Sequence, residues 1–427
     1  MVRDRGTFTG TRGSLLLVAT VMIVLTSGNI ASAASSTTQG ITATTIRVGV
    51  PYIDVGSAEL RTLGVAINYG SFPDAFNALI DNVNAHGGID GRKIVPYIVA
   101  VNPVGTAPAA TACTQLTEDD SVFAVLAPLE STCYLEHNVP VVGSIYPAAH
   151  SQTVAQDFSP TAPAAAFDPV ELTAMAKQGV FRHKKVAIFG GGTGDETELA
   201  VVQSALAKLH VPVVTTAVVT APQGDEAAVN AQIGPIEQRF KFDGATEVVA
   251  VGTGGAVWPG GLSAIQSTYN PPWVATVESD FNGAVGSGDS TAYLANVVTS
   301  TALPPPAEIW SNTGTQQCVH VIKKAYPSDG IRAFNARLPE SEQTWTSVEI
   351  ACSAMALFED IAKAAGKNLT VSSFVHAGYG LRNVVLPGGN VPISFAPNRP
   401  FGLGPVYMAH YDTATKSVVY ADSPSTG

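Results

Sequence analysis

The chain has 427 residues, of which 46% are hydrophobic and 13% are charged, and its formal net charge is −11. This length and hydrophobic content predict two core-forming domains rather than one. An acidic chain without clusters of lysine and arginine argues against nucleic acid and anionic membrane as partners, because both attract basic surfaces.

The first 33 residues have the pattern of a secretory signal peptide. Three arginines precede the apolar run 15–25, and the small residues at 31–33 suit a signal peptidase. An uncleaved membrane anchor is the less favoured alternative, because about eleven apolar residues are too few to span a bilayer. We therefore expect export to the periplasm, the cell surface or the medium. No lipobox cysteine lies near the cut, and a Ser- and Thr-rich flexible leader is expected over 34–45.

The next stretch predicts a β-α-β unit. An apolar strand is expected over 46–50, and Ser71 can cap a helix whose apolar side chains recur at three-and-four spacing. The pair Gly87-Gly88 ends that helix, and a second apolar strand follows over 94–101. Two strands joined through a helix must lie parallel in one sheet.

These residues carry a resemblance. The motif Gly-Gly-Ile-Asp-Gly-Arg-Lys-Ile at 87–94, followed by Asn102-Pro103, a helix and a third strand over 121–126, resembles the opening of the branched-chain amino-acid (Leu/Ile/Val-binding) type of ABC-transporter substrate-binding proteins. The resemblance covers the whole mature chain and is strongest over 46–143. It implies a type I periplasmic-binding-protein fold: two doubly wound α/β lobes with parallel sheets, joined by a hinge of three crossings.

The remaining pattern predicts where the lobes begin and end. A fourth strand over 139–143 is followed by an aperiodic stretch to residue 163, and strands then alternate with helices as far as residue 277. A strand over 296–300 leads into the link Pro304-Pro305-Pro306, two helices and a C-terminal hairpin. We therefore expect lobe 1 over 46–158 and 302–385, and lobe 2 over 159–301 and 386–427.

Four cysteines in an exported chain are expected to form disulfides. They are Cys113, Cys133, Cys318 and Cys352. Sequence alone allows three pairings, and pairing between neighbours is favoured because each neighbouring pair lies within one predicted lobe segment. Metal binding with His137 or His320 is the weaker alternative, since the cysteine spacings lack any C-x-x-C. The resembled family also carries disulfides in these places.

No catalytic signature is present in the sequence. It has no G-x-S-x-G elbow, no H-E-x-x-H and no G-x-x-x-x-G-K-[ST], and we predict no catalytic residue, cofactor or metal site. The turn 190–194 follows a predicted strand but lacks the third glycine of a dinucleotide fingerprint. It predicts a tight turn whose N–H groups could face an anionic ligand group. Trp258 and Trp273 are expected in the core.

In open α/β sheets, ligands bind beyond the carboxyl ends of the strands. The loops there offer hydroxyl and carboxyl groups, including Asp54 and Glu130, and this mixture suits an amino-acid zwitterion. The predicted ligand-binding residues are Tyr52, Ser131, Thr132, Ser144, Tyr146, Thr193, Thr253 and Glu278. In the resembled family, hydroxyls after strands three and four and a glutamate of lobe two bind the ligand, and Ser131, Ser144 and Glu278 occupy similar places. Asp280 competes with Glu278 for this role.

The sequence thus predicts a monomeric, exported solute-binding protein that is not an enzyme. It is expected to capture a small polar ligand, an amino acid or a related compound, and to deliver it to an ABC permease. Two alternatives stay open. The first is a ligand sensor on the same fold that signals to a receptor, and the second is a secreted enzyme, which a nucleophile–base pair in the cleft would support.

Overall fold

The computed structural model of the protein describes most of the chain after its first 37 residues. The described ranges are 38–57, 67–102, 107–145, 156–221, 226–254, 258, 269–277, 294–335, 338–389, 391–397, 399, 401–421 and 423–425. The predicted signal peptide lies outside them. Within these ranges, no helix combines the length and apolar character needed to cross a membrane.

The first sheet has five parallel strands in the order β2-β1-β3-β4-β5. The strands are β1 (Thr45–Ile53), β2 (Lys93–Val101), β3 (Ala124–Leu126), β4 (Val141–Val142) and β5 (Asp157–Phe158). Strand β5 lies inside the aperiodic stretch that ends at residue 163, which we predicted to be a connection. A strand of two residues is too short to show an alternating pattern in the sequence. It is recognised as a strand only because it pairs with β4.

The second sheet has seven strands in the order β14-β13-β10-β9-β8-β6-β7. Five parallel strands are β6 (Val186–Gly190), β7 (Val213–Val218), β8 (Glu247–Val251), β9 (Trp273–Ala275) and β10 (Val297–Thr301). The antiparallel hairpin β13 (Tyr407–Asp412) and β14 (Ser417–Tyr420) extends the sheet beside β10. A separate two-stranded ribbon pairs β11 (Val384–Val385) with β12 (Pro392–Ile393).

Helices cover both faces of each sheet, as the doubly wound prediction requires. They are α1 (Phe72–Ala85), α2 (Ala107–Thr114), α3 (Thr132–Glu136), α4 (Ala164–Lys177), α5 (Glu196–Lys208), α6 (Glu226–Phe242), α7 (Pro306–Ser311), α8 (Thr313–Ala325), α9 (Thr346–Ala365) and α10 (Val371–Gly380). Apolar side chains of α1, α8, α9 and α10 pack on one face of the first sheet, and those of α2 and α3 on the other. In the second sheet, α4 and α5 cover one face and α6 covers the other.

Helix α1 begins and ends as its sequence predicts. The Ser71 hydroxyl accepts a hydrogen bond from the Asp74 N–H at 3.2 Å, and Phe76 and Ile80 are buried on the inward face. Gly88 has φ +70°, and a Cβ there would collide with the carbonyl of Arg92, so only glycine fits this turn. The β-α-β unit is therefore confirmed.

Three segments connect the elements of the first sheet with those of the second. They are 159–163, 302–305 and 394–406, and they lie side by side. Ser159 pairs with Phe401 in a β-bridge, and the Gly402 N–H donates to the Ser159 carbonyl at 2.9 Å. Gly404 packs against the carbonyl of Ala302. The predicted arrangement of three crossings is present.

The ribbon of β11 and β12 packs with the first sheet. Its neighbours Leu386, Val391 and Phe395 belong to the same core as α9. The predicted lobe limits stay a prediction, and this packing places Leu386, Val391 and Phe395 with the first sheet.

Two disulfides join the neighbouring cysteines. Cys113 bonds to Cys133 with 6.4 Å between their Cα atoms, and Cys318 bonds to Cys352 with a Cα separation of 6.0 Å. The first ties α2 to α3, and the second ties α8 to α9. The predicted pairing is confirmed. Each closes a loop whose entropy in the unfolded chain corresponds to roughly 3–4 kcal/mol of stabilisation.

Residues 38–44 belong to the stretch 34–45 that was predicted to be a flexible leader, and they make contacts with the first sheet. The Gln39 side chain donates to the Thr117 carbonyl at 2.9 Å, and the Arg47 N–H donates to the Gly40 carbonyl at 2.8 Å. Gly40 lies against the backbone of Phe123. This segment is held to the first sheet by contacts over 70 residues away, which local composition does not reveal.

Candidate functional site

The carboxyl ends of the parallel strands lead into the crossings in both sheets. Strand β5 ends at Phe158 and enters the crossing 159–163, and β10 ends at Thr301 and enters the crossing 302–305. We call the carboxyl ends of β1, β3, β4 and β5 the first edge, and those of β6, β8, β9 and β10 the second edge. Because the crossings lie together, both edges border the hinge, where a ligand of an open α/β fold is expected.

Ser131 and Ser144 lie at the first edge with their hydroxyl groups buried. Ser131 precedes α3 and is fully buried, and Ser144 follows β4 and is 2% exposed. The Ser144 hydroxyl has no hydrogen-bond partner among the described residues, and the Ser131 hydroxyl has only the carboxyl group of Asp157 beside it. A buried hydroxyl without a partner costs free energy, so each is available to bind a ligand or a water molecule.

The turns that position these serines have an unusual backbone. Ala127, directly after β3, has φ +48°, and Gly143, directly after β4, has φ +74°. The Ile145 N–H donates to the Pro128 carbonyl at 3.0 Å and ties the two turns together. A left-handed conformation at a non-glycine residue is costly and is common at functional sites.

Asp157 was not predicted, and it lies next to Ser131. The side chain is 1% exposed, and the Ser131 hydroxyl is the one donor near its carboxyl oxygens among the described residues. Burial raises the pKa of Asp157 to about 6, and the nearby Ser131 hydroxyl offsets part of this rise. The acid was missed because it stands on the strand that carried no pattern.

The other predicted residues of the first edge are more exposed or more remote. The Tyr52 ring is partly buried and stacks on Phe72, with 6.0 Å between the ring centroids. Burial and the charge of Asp54 raise the pKa of Tyr52. Thr132 and Glu130 are exposed. Tyr146 lies outside the described residues.

Asp195 organises the second edge. Its Oδ2 atom accepts four hydrogen bonds, from the N–H groups of Gly191 (2.8 Å), Gly192 (3.2 Å) and Thr253 (3.2 Å) and from the Thr253 hydroxyl (2.9 Å). Gly252 has φ +52°, and a Cβ on it would collide with the Asp195 carboxylate. The loops after β6 and β8 therefore enclose an internal carboxylate.

This arrangement corrects the prediction for the glycine-rich turn. We expected its N–H groups to face an anionic ligand, but those of Gly191 and Gly192 already bind Asp195. Thr253 is exposed, and its hydroxyl proton is also donated to Asp195, so its oxygen can only accept from a ligand. The side chain of Thr193 and the whole of Glu278 and Asp280 lie outside the described residues.

Glu198 is a second acid at this edge, and it lies between the strand ends of β8 and β9. Its Oε1 atom accepts the Gly252 N–H at 2.8 Å and the Thr276 hydroxyl at 2.8 Å, which joins the carboxyl ends of β8 and β9. Burial raises the pKa of Glu198, and these two donors offset part of the rise. Through the Glu198 side chain, the first turn of α5 is thus hydrogen-bonded to the carboxyl ends of β8 and β9.

Two further acids near this edge, Asp168 and Glu171, stand on α4 and are almost fully buried. The Glu171 Oε2 atom accepts the hydroxyl proton of Ser300 in β10 at 2.6 Å. Asp168 lies close enough to Glu198 for the two carboxyl groups to share a proton. Burial, followed by the charges of Glu171 and Glu198, raises the pKa of Asp168 well above its ordinary range.

Metal binding finds little support among the described residues. The one group whose ligand atoms lie close enough for an ion is Cys113, Cys133 and His137, and both sulfurs are joined in the disulfide. Trp258 and Trp273 are fully buried, and Trp258 packs on Phe189 and Phe240, so their expected place in the core is confirmed.

An open depression lies away from both edges, on helices α7 and α8. Its volume is about 540 Å³, and it is lined by Ser311, Thr313, Gln316, Gln317, His320 and Val321. It contains no strand end and does not include any of the predicted ligand-binding residues.

A family profile described as periplasmic binding protein matches residues 45–416. No curated protein matches the chain by sequence. Among solved structures, the fatty acid ABC transporter substrate-binding protein from Thermomonospora curvata has 14% identity and a TM-score of 0.63, with 91% of this chain and 94% of that chain covered.

Two further structures were solved with ligands. The branched-chain amino acid transporter substrate-binding protein LivJ from Streptococcus pneumoniae, in complex with isoleucine, has 16% identity and a TM-score of 0.59 over 88% of this chain and 100% of that one. A solute-binding protein of an ABC transporter from R. palustris, in complex with 4-hydroxybenzoate, has 15% identity and a TM-score of 0.63 over 89% and 96%. Identities this low show a shared fold and leave the ligand open.

Proposed function

We propose, given that the chain belongs to the periplasmic binding protein family, that it captures a small polar ligand, an amino acid or a related compound, between the first and second edges. The family is one of solute-binding proteins, and its structural neighbours serve ABC transporters. The proposed partner that receives the ligand is an ABC permease, and the protein works as an exported monomer without catalysing a reaction.

The observation that carries the proposal is the pair of buried hydroxyls of Ser131 and Ser144 at the first edge. The hydroxyls of Ser300 and Thr276 at the second edge have carboxylate partners, whereas the Ser144 hydroxyl has no partner among the described residues and the Ser131 hydroxyl has only the neighbouring Asp157 carboxyl group. Hydroxyl groups that a fold leaves unsatisfied at strand ends suit the polar atoms of a ligand.

The three crossings support closure around such a ligand. Short segments that lie side by side let two rigid sheets rotate with few contacts broken, and this is a hinge of the kind found in periplasmic binding proteins. Glu278 follows β9 in the sequence, and we propose that it accepts a hydrogen bond from a ligand ammonium group, with Tyr52 and Thr253 at the border of the site.

A thermal-shift panel tests the proposal. The compounds are the amino acids, small amides, urea-like compounds, amines and small aromatic acids, each at millimolar concentration. A ligand that binds only the folded state at a hundred times its Kd adds about 2.7 kcal/mol of stability and raises the Tm. If no compound in the panel raises the Tm, capture of a small polar ligand is contradicted.

A further inference from the structure

Asp157 and Ser131 lie on the same face of the first sheet and form a buried polar pair at the first edge. Asp157 pairs with Val141 in β4, and Val141 packs with the apolar side chains of α2 and α3. Ser131 directly precedes α3, and its hydroxyl lies beside the Asp157 carboxyl group. Asp157 is 1% exposed and Ser131 is fully buried, so the pair is shielded from solvent.

No basic side chain neutralises the Asp157 carboxyl group among the described residues. The described loops of the first edge contain no lysine, arginine or histidine, and they are 127–131, 143–145 and 159–163. The ion pairs within the described ranges do not include Asp157. If Asp157 were ionised, it would be a buried charge with a single hydroxyl donor, and such a charge costs free energy. Burial accordingly raises the pKa of Asp157 to about 6.

The other ionisable groups near Asp157 do not alter this state. Its partner strand β4 consists of two valines, and α2 carries no carboxyl or basic side chain. Burial raises the pKa of Tyr134 on α3, so this phenol stays neutral near pH 7. The ionisable side chains that precede or belong to the end of α3 are exposed, so water screens their charges. They are Glu130, Glu136 and His137.

The protonation of Asp157 decides what the Ser131 hydroxyl can offer a ligand. An ionised carboxylate only accepts, so it takes the single Ser131 proton and leaves an oxygen that can only accept from a ligand. A protonated Asp157 can donate to the Ser131 oxygen, and the Ser131 proton is then free for a ligand acceptor. The Ser144 hydroxyl, which has no partner among the described residues, supplies a second donor. A neutral Asp157 therefore gives the first edge two hydroxyl donors.

We propose that Asp157 is a specificity-determining residue of the first edge, where it holds a proton that lets Ser131 and Ser144 donate together to a ligand carboxylate. This inference rests on the proposed function and deepens it, because it assigns a carboxylate to the ligand and couples binding to a proton. Two donors suit the two oxygens of a carboxylate, whereas an ionised Asp157 removes one donor and repels the charge. Binding therefore takes up a proton when Asp157 is ionised in the free protein.

Isothermal calorimetry on the mature protein at pH 5.5 and pH 7.5 tests the coupling. The probes are benzoate and the protein L-amino acids other than histidine and cysteine, which keep one charge state over this range. The neutral fraction of an acid with a pKa of about 6 falls from about three quarters to about three hundredths between these pH values. We expect the Kd of the tightest carboxylate to rise at least about tenfold. Buffers of different ionisation enthalpy should show proton uptake at pH 7.5.

The variant Asp157→Asn removes the coupling. Its amide has the shape of the acid, can donate to the Ser131 oxygen and stays neutral, so Kd should stay within about threefold of the wild-type value of pH 5.5 at both pH values. The control is His150→Gln, because histidine titrates in the same pH range, and its profile should follow the wild type. His150 lies outside the described residues. Circular dichroism confirms that the variants are folded, and the wild-type profile and its proton uptake decide the matter if Asp157→Asn does not fold.

The primary amide of the tightest carboxylate tests the ligand group itself. It has the same shape without the charge, and we expect it to bind at least about tenfold more weakly at pH 5.5. Equal affinities of the acid and its amide would overturn the assignment of a carboxylate.

The outcomes separate the two proposals. A wild-type Kd that is unchanged or smaller at pH 7.5, or a pH dependence that persists in Asp157→Asn, overturns the inference and leaves the solute-binding function intact. Binding of an amide or an amine from the thermal-shift panel, with no binding of any carboxylate, has the same meaning. No binding by any compound contradicts both.

Discussion

The Thr253 residue donates to Asp195 twice, from its N–H at 3.2 Å and from its hydroxyl at 2.9 Å, although the two residues are 58 positions apart. This pair joins the turn after β6 to the turn after β8. It places one buried carboxylate where the fold would otherwise bind an external anion. Hydrogen bonds within the chain therefore hold the second edge in place, and they hold the Asp195 carboxylate there without a ligand.

Replacing Asp195 by Asn tests this relationship. The change leaves a neutral amide in place of a carboxylate that accepts four hydrogen bonds, and charge-assisted bonds of this kind contribute about 1.5–3 kcal/mol in buried settings. Urea denaturation should show a loss of this order. The control is Asp412→Asn, since Asp412 also accepts an N–H and a threonine hydroxyl but stands at the end of β13, beside an exposed turn. Equal losses would show that Asp195 is an ordinary turn residue.

The buried acid Asp157 should make stability depend on pH. Its pKa rises from 3.8 in the unfolded chain to about 6 in the folded protein because burial disfavours the charge. Folding therefore loses free energy as the pH increases from about 4 to about 6, by roughly 3 kcal/mol for a rise of this size.

The variant Asp157→Asn isolates this effect. We expect the free energy of unfolding of the variant, minus that of the wild type, to increase between pH 4 and pH 6 and then to level off. Urea denaturation at several pH values measures this difference. Asp412→Asn should give a flat difference over the same range, because hydrogen bonds lower the pKa of Asp412. A flat profile for Asp157→Asn would mean that Asp157 is ionised and solvated in the folded protein.

Alanine variants of the two serines at the first edge should change ligand affinity much more than stability. Ser144→Ala removes a buried hydroxyl that has no partner among the described residues, so the apo protein should keep its Tm or gain slightly. Ser131→Ala also takes a neighbouring hydroxyl from buried Asp157, so a small drop in apo Tm is expected for this variant. Ligand affinity should fall roughly fivefold to fiftyfold per hydroxyl. Ser300→Ala is the matched control, because it removes a partner of buried Glu171 and should lower the Tm. A drop in apo Tm without a change in affinity would assign the two serines a structural role.

Glu278 remains a prediction from the sequence. If it accepts a ligand ammonium group, Glu278→Gln removes a charge-assisted bond of about 1.5–3 kcal/mol and weakens binding roughly ten- to a hundredfold. Calorimetry with the compound that raises the Tm most provides the measurement, with Asp280→Asn as the comparison. Loss of affinity in Asp280→Asn alone would transfer the role to Asp280.

The sequence predicted the features that depend on the local periodicity of apolar residues, on capping residues and on cysteine spacing. Helix α1 was predicted from its spacing and its Ser71 cap, and the disulfides from the spacing and lobe placement of the four cysteines. Ser131 and Ser144 were placed correctly at strand ends because the strands before them are short apolar runs. Their burial was not predictable, since it depends on how the turns after β3 and β4 fold against each other.

The buried acids at the second edge were not predicted, for a physical reason. Asp168 and Glu171 stand on a helix, Glu198 stands on the next one, and their partners lie on strands up to 129 residues away. A buried acid and a solvated acid look the same in a sequence. Only the packing of α4 and α5 on the second sheet makes these residues neighbours. Strand β5, which brings Asp157 to the first edge, was missed for the same reason.

Small-angle X-ray scattering tests the central claim, that a ligand is captured between two edges that close about the three crossings. The protein is measured alone and with the panel compound that raises its Tm most, at a concentration that saturates binding. The account predicts a smaller radius of gyration with the ligand than without it, because closure brings the two sheets together. An unchanged radius at saturating ligand would contradict it.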